Sequence, residues 1–166
     1  MVRKARLDDA AAIAAVHMRT WQVAYRGLVP DEILDRFELD EWTTRRRQML
    51  EDESVFVFVA ETDGDVAGFV AVGPCRDRDL EGEGELYGIY VRPEQWRHGL
   101  GRELISAGED ALRELGFAEA GLWVLEDNPR ARRFYEANGW LLDEPAHKAY
   151  PAGDKELSEV RYRRRL

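Results

Sequence analysis

The sequence predicts a single α/β domain that spans residues 1–166, and three observations support this prediction. The chain has 166 residues, of which 45% are hydrophobic, so it can bury one substantial core. Apolar residues recur at helical spacing in the first third of the chain, whereas β-rich runs alternate with helical patterns in the remainder. The sequence shows no repeat, low-complexity tract or obvious linker that would divide it. This order of elements favours a sheet covered by helices.

The first third of the chain predicts a short strand at Val2–Ala5 and three helices. Ile13 and Val16 lie on one face of the first helix. Each helix has a residue at its start that suits an N-cap or a first turn. These residues are Asp8 or Asp9, Pro30 and Asp40.

Two β-rich runs on either side of Asp63-Gly64 predict a hairpin. A further strand is predicted at Glu85–Val91, and a helix that ends at Gly116 follows it. The apolar periodicity of this helix predicts four inward side chains. They are Leu104, Ile105, Leu112 and Leu115.

The last third predicts a strand over residues 120–125 and then a clearly bounded helix, in which Asn128 is the cap, Pro129 the first residue and Gly139 the stop. The tail "LSEVRYRRRL" alternates apolar residues with arginines, which predicts a half-exposed last strand. Such a strand can lie at the edge of the sheet, where a second copy of the chain can pair with it. A homodimer is therefore an expectation, with a monomer as the alternative.

Composition and charge exclude several classes of function. The formal net charge of −9 argues against generic nucleic-acid binding, and no apolar run is long enough to span a membrane. Asp8 and Asp9 interrupt any signal-peptide core. The single cysteine, Cys75, cannot form an internal disulfide, which suits the cytoplasm, and three scattered histidines give no zinc-site spacing. We expect a cytoplasmic protein with no metal, nucleic-acid or membrane partner.

A glycine turn at a strand–helix junction is the most informative motif. In "YVRPEQWRHGLGREL", Gly99 and Gly101 precede a helix, whose first N–H groups can bind an anion such as phosphate. A tight turn that needs glycine only for clearance is the alternative. A dinucleotide fingerprint would need Gly or Ala where this chain has Leu104, and no Walker A loop is present. Basic or partly basic residues surround the turn: Arg97, His98 and Arg102.

This turn, together with "DNPRARRFYEANGW", resembles the GNAT superfamily of N-acetyltransferases. The family signature Q/R-x-x-G-x-G/A corresponds here to residues 96–101, with Trp96 in place of Gln or Arg. The opening segment and the closing "EVRYRRRL" are also similar to GNAT members. The resemblance implies a GNAT fold, with a mixed, mostly antiparallel sheet of six to seven strands flanked by helices. It also implies acetyl-CoA as co-substrate.

The resemblance assigns roles to two groups of residues. Tyr135 is implied to donate a proton to the departing sulfur, although its position beside Phe134 also fits a core residue. Asn128 is implied to contact the cofactor in addition to capping its helix. The strand before the turn is implied to contact the pantetheine arm and the acetyl carbonyl through backbone groups, at Ile89, Tyr90 and Val91. Backbone amides of the turn are implied to hold the pyrophosphate, at Arg97, His98, Gly99, Leu100, Gly101 and Arg102.

The base and the acceptor pocket are less defined by sequence. Glu85 is the candidate general base, because it lies inside the predicted strand where family members often use a glutamate. Acidic residues recur at every second position before it, and an extended chain would line them on one face that attracts a cationic amine. A solvated acidic loop is the alternative. These residues are Asp77, Asp79, Glu81, Glu83 and Glu85. Trp21 and Tyr25 are candidate acceptor contacts, with a core stripe as the default interpretation.

The predicted function is transfer of the acetyl group of acetyl-CoA to a primary amine of a small molecule or peptide. The resemblance implies direct attack of the amine through a tetrahedral intermediate. The alternatives are an acetyl-CoA sensor without turnover and an interaction protein in which the glycine turn is only a turn. Tyr135 disfavours the sensor, because a sensor needs no proton donor. The identity of the acceptor cannot be derived from the fold.

Overall fold

The computed structural model describes residues 1–166, apart from the side chain of residue 145. Its strands are β1 (Val2–Lys4), β2 (Phe56–Thr62), β3 (Asp65–Pro74), β4 (Gly84–Val91), β5 (Glu119–Leu125), β6 (Leu141–Ala152) and β7 (Lys155–Arg165). Its α-helices are α1 (Ala10–Ala24), α2 (Asp31–Leu34), α3 (Leu39–Glu51), α4 (Leu100–Glu114) and α5 (Pro129–Ala137).

The strands form one mixed sheet of seven, in the order β1-β2-β3-β4-β5-β7-β6. All neighbouring strands are antiparallel except β4 and β5, which are parallel. The parallel pair is joined at only two positions, Gly84 opposite Ala120 and Glu85 opposite Gly121. Beyond these positions the two strands separate, which leaves an opening in the middle of the sheet. The predicted mixed, mostly antiparallel sheet is confirmed.

The two faces of the sheet carry separate cores. On one face, Leu104 and Leu112 of α4 and Tyr135 of α5 pack against the strands in a single buried cluster. On the other face, Ile13 and Val16 of α1 pack against β2 and β3. Because helices cover both faces of the sheet, the opening between β4 and β5 has a helical layer on each side.

Local turn and cap signals mark most element ends correctly. Asp63 and Gly64 both have positive φ (54° and 87°), as a hairpin turn of this type requires, and Gly116 ends α4 with φ 90°. Two predicted caps are wrong. The Asp9 carboxylate accepts hydrogen bonds from Arg3 and from the N–H of Arg6 instead of capping α1. Residue 40 lies inside the first turn of α3, because that helix begins at residue 39.

Three predictions for the second half of the chain are corrected. Leu115 is 42% exposed, because α4 ends one residue before it. The last strand, β7, lies between β5 and β6 and is not an edge strand. The edge is β6, which the sequence did not reveal and which contains His147. Arg161 of β7 is as buried as its apolar neighbours because three carboxylates surround it, Asp77, Asp79 and Asp143.

Candidate active site

A cleft of about 1020 Å³ opens where β4 and β5 separate. Helix α5, the turn before α4 and the end of α1 complete its walls. Twelve of the fourteen residues predicted for the site line it: Trp21, Tyr25, Glu85, Ile89, Tyr90, Val91, Arg97, Gly99, Gly101, Arg102, Asn128 and Tyr135. The side chains of the other two point elsewhere, since His98 is exposed and Leu100 packs in the core. Both can contribute to the cleft through backbone groups only.

The two glycines of the turn serve different purposes. Gly99 has φ 87°, a left-handed conformation that L side chains rarely adopt, and a Cβ there would meet no atom within 4 Å. A Cβ on Gly101 would lie 3.1 Å from the ring of Phe134 on α5. Gly99 therefore makes the turn possible, and Gly101 allows α4 and α5 to approach each other. The turn presents the N-terminus of α4 to the cleft, where the first N–H groups of a helix have no acceptor within it.

Trp96, which replaces the Gln or Arg of the family signature, holds the turn against β4. Its indole N–H donates to the Val91 carbonyl (2.7 Å). The Arg130 guanidinium lies over its ring, 3.6 Å from the ring centroid. Partial desolvation of the guanidinium lowers the pKa of Arg130, an exposed residue that lines the same cleft. The sequence did not single out Arg130, and only its place in "DNPRARRFY" could have suggested it.

The register of β4 decides which of its backbone groups face the opening. The N–H of Arg92 donates to the Ala67 carbonyl of β3 (2.8 Å). Backbone groups of an antiparallel strand alternate between its two neighbours, so those of Tyr90 also point to β3, and those of Ile89 and Val91 point to the opening. This register removes Tyr90 from the predicted backbone contacts. It leaves both backbone groups of Ile89 and the N–H of Val91, whose carbonyl is taken by Trp96.

Helix α5 carries two predicted residues into the cleft. The Asn128 side chain accepts a hydrogen bond from the N–H of Ala131 (3.2 Å), so the predicted cap is confirmed. Tyr135 is 7% exposed, and its ring lies 6.4 Å from those of Trp140 and Tyr162. Burial raises the pKa of the Tyr135 phenol, which therefore keeps its proton at neutral pH. The residue is both a core side chain and a wall of the cleft.

Glu85 lies in the cleft wall, but Arg76 binds its carboxylate. The Arg76 guanidinium donates to Oε1 (2.5 Å) and Oε2 (3.0 Å), and the Arg76 N–H also donates to Oε2 (2.9 Å). A carboxylate has about four acceptor positions. The three hydrogen bonds from Arg76 therefore leave one acceptor position free on Oε1. Arg76 also lies over the Tyr87 ring at 4.3 Å, and burial raises the pKa of Tyr87 to about 12.

The acidic stretch before β4 does not form the extended face that would attract an amine. A short helical turn at residues 78–80 interrupts it. Three of its five carboxylates are instead paired with arginines of β7: Asp77 (3.4 Å) and Asp79 (2.7 Å) with Arg161, and Glu83 (2.5 Å) with Arg163. Glu85 is paired with Arg76, and Glu81 is exposed. The stretch is therefore not an extended binding face and, apart from Glu81, not a free acidic loop. It fastens the β3–β4 connection to the C-terminal strand.

The end of the cleft away from the glycine turn is lined by aromatic rings. Trp21 packs against Tyr25 (4.8 Å between ring centroids) and Tyr150 (6.1 Å). These rings join a small apolar cluster under α2, so the core interpretation of Trp21 and Tyr25 is also correct. Glu159 of β7 and Lys148 of β6 lie in this part of the cleft. Neither residue was identified from sequence, because β6 was not predicted and β7 was expected at the edge of the sheet.

Other singled-out residues lie outside the cleft. His17 is buried in α1, its ring 3.9 Å from that of Tyr90, and burial lowers the pKa of its imidazole well below the ordinary value. Cys75 is half-buried, and burial raises the pKa of its thiol, which disfavours the thiolate. In the described part of the chain, no group of three or more His, Cys, Asp or Glu residues is placed to hold a metal ion. None of the described helices is long and apolar enough to cross a membrane.

Comparison with known proteins identifies the family. The family model for the Acetyltransferase (GNAT) family matches residues 15–140, and the chain belongs to this family. The uncharacterized N-acetyltransferase YuaI of Bacillus subtilis (strain 168) is 37% identical over 142 residues, which cover 82% of this chain and 77% of YuaI. The spermidine N(1)-acetyltransferase of Thermoplasma acidophilum is 20% identical over 148 residues, 86% of this chain and 89% of that protein.

Solved structures share the fold. The PaiA N-acetyltransferase of Thermoplasma acidophilum, crystallised in complex with coenzyme A, superposes with a TM-score of 0.76 at 17% identity, covering 100% of this chain and 98% of that one. At this identity the likeness shows the fold alone. Together with the family match, it makes the chain an N-acetyltransferase with the GNAT fold, as the sequence predicted.

Proposed function

We propose that residues 1–166 act as one N-acetyltransferase domain that transfers the acetyl group of acetyl-CoA to a primary amine of a small molecule or peptide. The observation that carries this proposal is the cleft between β4 and β5. It combines a helix N-terminus, free β4 backbone groups and a protonated tyrosine. The coenzyme A bound to the PaiA N-acetyltransferase supports the choice of acyl donor.

The residues of the turn would hold the phosphates of the donor. The N–H groups from Arg97 to Gly101 lie at the start of α4, where the helix dipole favours negative charge. The Arg102 N–H donates to the Gly99 carbonyl (2.9 Å), so Arg102 would contribute its side chain instead of the predicted backbone contact. Arg130 adds a positive charge that has no carboxylate within 4 Å in the described chain. The open backbone groups of Ile89 and Val91 would pair with the pantetheine arm as an added strand does.

The reaction needs a neutral amine, a polarised carbonyl and a proton for the departing sulfur. Bound acetyl-CoA supplies a thioester, whose carbonyl carbon accepts the amine and whose sulfur leaves as a thiolate. The β4 N–H groups would stabilise charge on the carbonyl oxygen. Tyr135 would donate its proton to the sulfur. Glu85 would accept the amine proton through water at its free position on Oε1.

The first test measures release of free CoA from acetyl-CoA against a panel of primary amines, with Tyr135→Phe alongside. We expect amine-dependent release that falls on the order of 100-fold in the variant, because general acid catalysis is lost. The Kd of acetyl-CoA, measured by calorimetry, should stay nearly unchanged. An equal loss in turnover and affinity would make Tyr135 a packing residue. Binding of acetyl-CoA without release for any amine would favour a sensor.

A second test addresses the base. Glu85→Gln should slow turnover at neutral pH and recover as the pH rises, because a larger fraction of the amine is then neutral without a base. The measurement is the pH profile of kcat/KM for both proteins. Parallel profiles would show that Glu85 only positions Arg76.

A further inference from the structure

Glu159 is a charged residue in the acceptor end of the cleft for which the protein supplies no ion-pair partner. It lies on β7, opposite Leu125 of β5 on one side and opposite Lys148 of β6 on the other. Its side chain is half-buried and lines the cleft. Among the described residues, no Lys, Arg or His nitrogen lies within 4 Å of its carboxylate.

The neighbouring cations are committed elsewhere. Arg76 donates to both oxygens of Glu85. Lys148 lies directly across the strand pair, yet its ammonium is 5.4 Å above the Trp123 ring. Burial raises the pKa of Glu159, and the charges of Lys148 and Arg76 lower it only in part. A half-buried carboxylate without a partner is costly, so a cation that enters the cleft gains a charge-assisted hydrogen bond there.

The aromatic wall beside Glu159 suits an apolar chain. Trp21, Tyr25 and Tyr150 form it. The charge of Glu159 reaches Tyr25 and Tyr150, where it adds to the effect of burial in raising the pKa of both phenols. These rings can pack methylene groups and contact a cation through their faces.

The amine that reacts should differ from the group bound to Glu159. An unpaired carboxylate stabilises an ammonium, whereas attack on a thioester requires the neutral amine. The Glu85 carboxylate is already paired with Arg76, so it stabilises an ammonium less than Glu159 does. A ligand that uses both parts of the cleft therefore carries two nitrogens. One is held charged at Glu159 and the other is free to lose its proton near Glu85.

We propose that Glu159 binds a second, non-reacting cationic group of the acceptor and that Trp21, Tyr25 and Tyr150 pack the apolar segment between its two nitrogens. The acceptor class is thus a diamine or polyamine with an apolar spacer. This inference rests on the proposed function and deepens it. Glu159 is a specificity-determining residue in this scheme, and it takes no proton in the transfer.

The test compares matched pairs of probes by calorimetry on the full chain saturated with CoA. The amino alcohols 4-amino-1-butanol and 6-amino-1-hexanol, which carry one ammonium, are paired with the neutral diols 1,4-butanediol and 1,6-hexanediol. We expect each amino alcohol to bind wild type about tenfold more tightly than its matched diol, because its ammonium adds one charge-assisted hydrogen bond at Glu159. Glu159→Gln keeps the shape of the side chain and should abolish that difference. Glu156→Gln, an exposed glutamate of the same strand that does not line the cleft, should preserve it.

The outcomes separate this inference from the proposed function. Equal binding of amino alcohol and diol by wild type, or a Glu159→Gln effect of equal size on both, would overturn it, even if primary amines are acetylated. A preference for the ammonium probe that requires Glu159 supports it, even if no acetyl transfer is seen and the proposed function fails. Thermal unfolding of Glu159→Gln near the wild-type temperature would confirm that the variant is folded.

Discussion

The contacts of the Trp96 indole suggest how this chain compensates for its missing Gln or Arg. The ring is fixed by its hydrogen bond to Val91, and its face is covered by the Arg130 guanidinium. A guanidinium stacked on an indole is held in place without a carboxylate that would neutralise it. We therefore expect Arg130 to provide a side-chain charge for the donor phosphates beside Trp96, which carries none.

Arg130→Met tests this role, because it removes the charge and keeps an apolar stem on the indole. We expect the Kd of CoA to rise about tenfold through loss of one charge-assisted contact. Arg133→Met on the same helix is the control, since Arg133 is exposed and lies outside the cleft. Calorimetry measures the Kd of CoA for both variants, and no acceptor is needed. An equal effect of the two substitutions would show only the influence of net charge.

The charge of Glu159 makes a prediction about pH. Cation binding at this residue needs the ionised carboxylate, so diamine affinity is present above its pKa and falls as the pH drops through it. Because burial raises the pKa of Glu159, the loss should begin at a higher pH than for an exposed glutamate. Several titratable or charged groups face it: Lys148, Arg76, Glu85, Tyr25, Tyr90 and Tyr150.

The measurement for this prediction is the calorimetric Kd of 1,6-diaminohexane from about pH 8 down to about pH 4, across the ordinary glutamate range. In Glu159→Gln the remaining affinity should be flat over the upper part of that interval. A wild-type profile that coincides with that of the variant would assign the titration to another group.

At the scale of elements, ion pairs between β7 and carboxylates of other segments hold β7 in the middle of the sheet. Arg161 is buried and donates to Asp79 (2.7 Å) and Asp143 (2.7 Å). Hydrogen bonding to Arg161 lowers the pKa of Asp79. A depressed carboxyl pKa contributes stability above the unfolded-state pKa, and this contribution is lost as the pH falls through the folded-state value.

Arg161→Met should therefore lower the free energy of unfolding at neutral pH, because Asp77, Asp79 and Asp143 lose their charged donor. The difference from wild type should shrink below the ordinary aspartate range, where the carboxylates are protonated in both states. Urea unfolding at neutral pH and at a pH below the aspartate range measures this difference in the free energy of unfolding. The control is Arg165→Met at the exposed end of the same strand. A difference that is independent of pH would indicate lost packing instead.

The same strand shows why sequence patterns predicted some elements and missed others. Asn128, Gly99 and Gly116 act on their own turns, so their effect could be predicted from local sequence. The partners of Arg161 lie 82 and 84 residues away for Asp79 and Asp77, and no local pattern reports such a pairing. Without those partners, alternating arginines indicate an exposed strand. Because β6 was not predicted, Lys148 and the position of Glu159 beside it were missed as well.

At the scale of the whole molecule, the sheet consists of two arms whose backbone ladders meet at few positions. β1 to β4 form one arm and β5, β7 and β6 form the other, and the ladder between them has two register positions. The cleft lies beyond those positions, with Ile89 on one arm and Asn128 after the other. A donor that pairs with β4 and contacts α5 would bridge the arms, so it should stabilise the fold as well as position the thioester.

Bound CoA should therefore raise the free energy of unfolding by about 2.7 kcal/mol when its concentration is about 100 times its Kd. Mass action alone requires this gain in stability, but the two-arm sheet also predicts which backbone amides become protected from exchange. Amide hydrogen exchange should slow at Ile89 and Val91, whose N–H groups face the opening, and little at Tyr90, whose N–H is already paired with β3. Exchange in β6, which does not border the opening between β4 and β5, is the internal reference. Uniform slowing across β4 and β6 would mean that CoA suppresses only global unfolding and does not extend the sheet as an added strand.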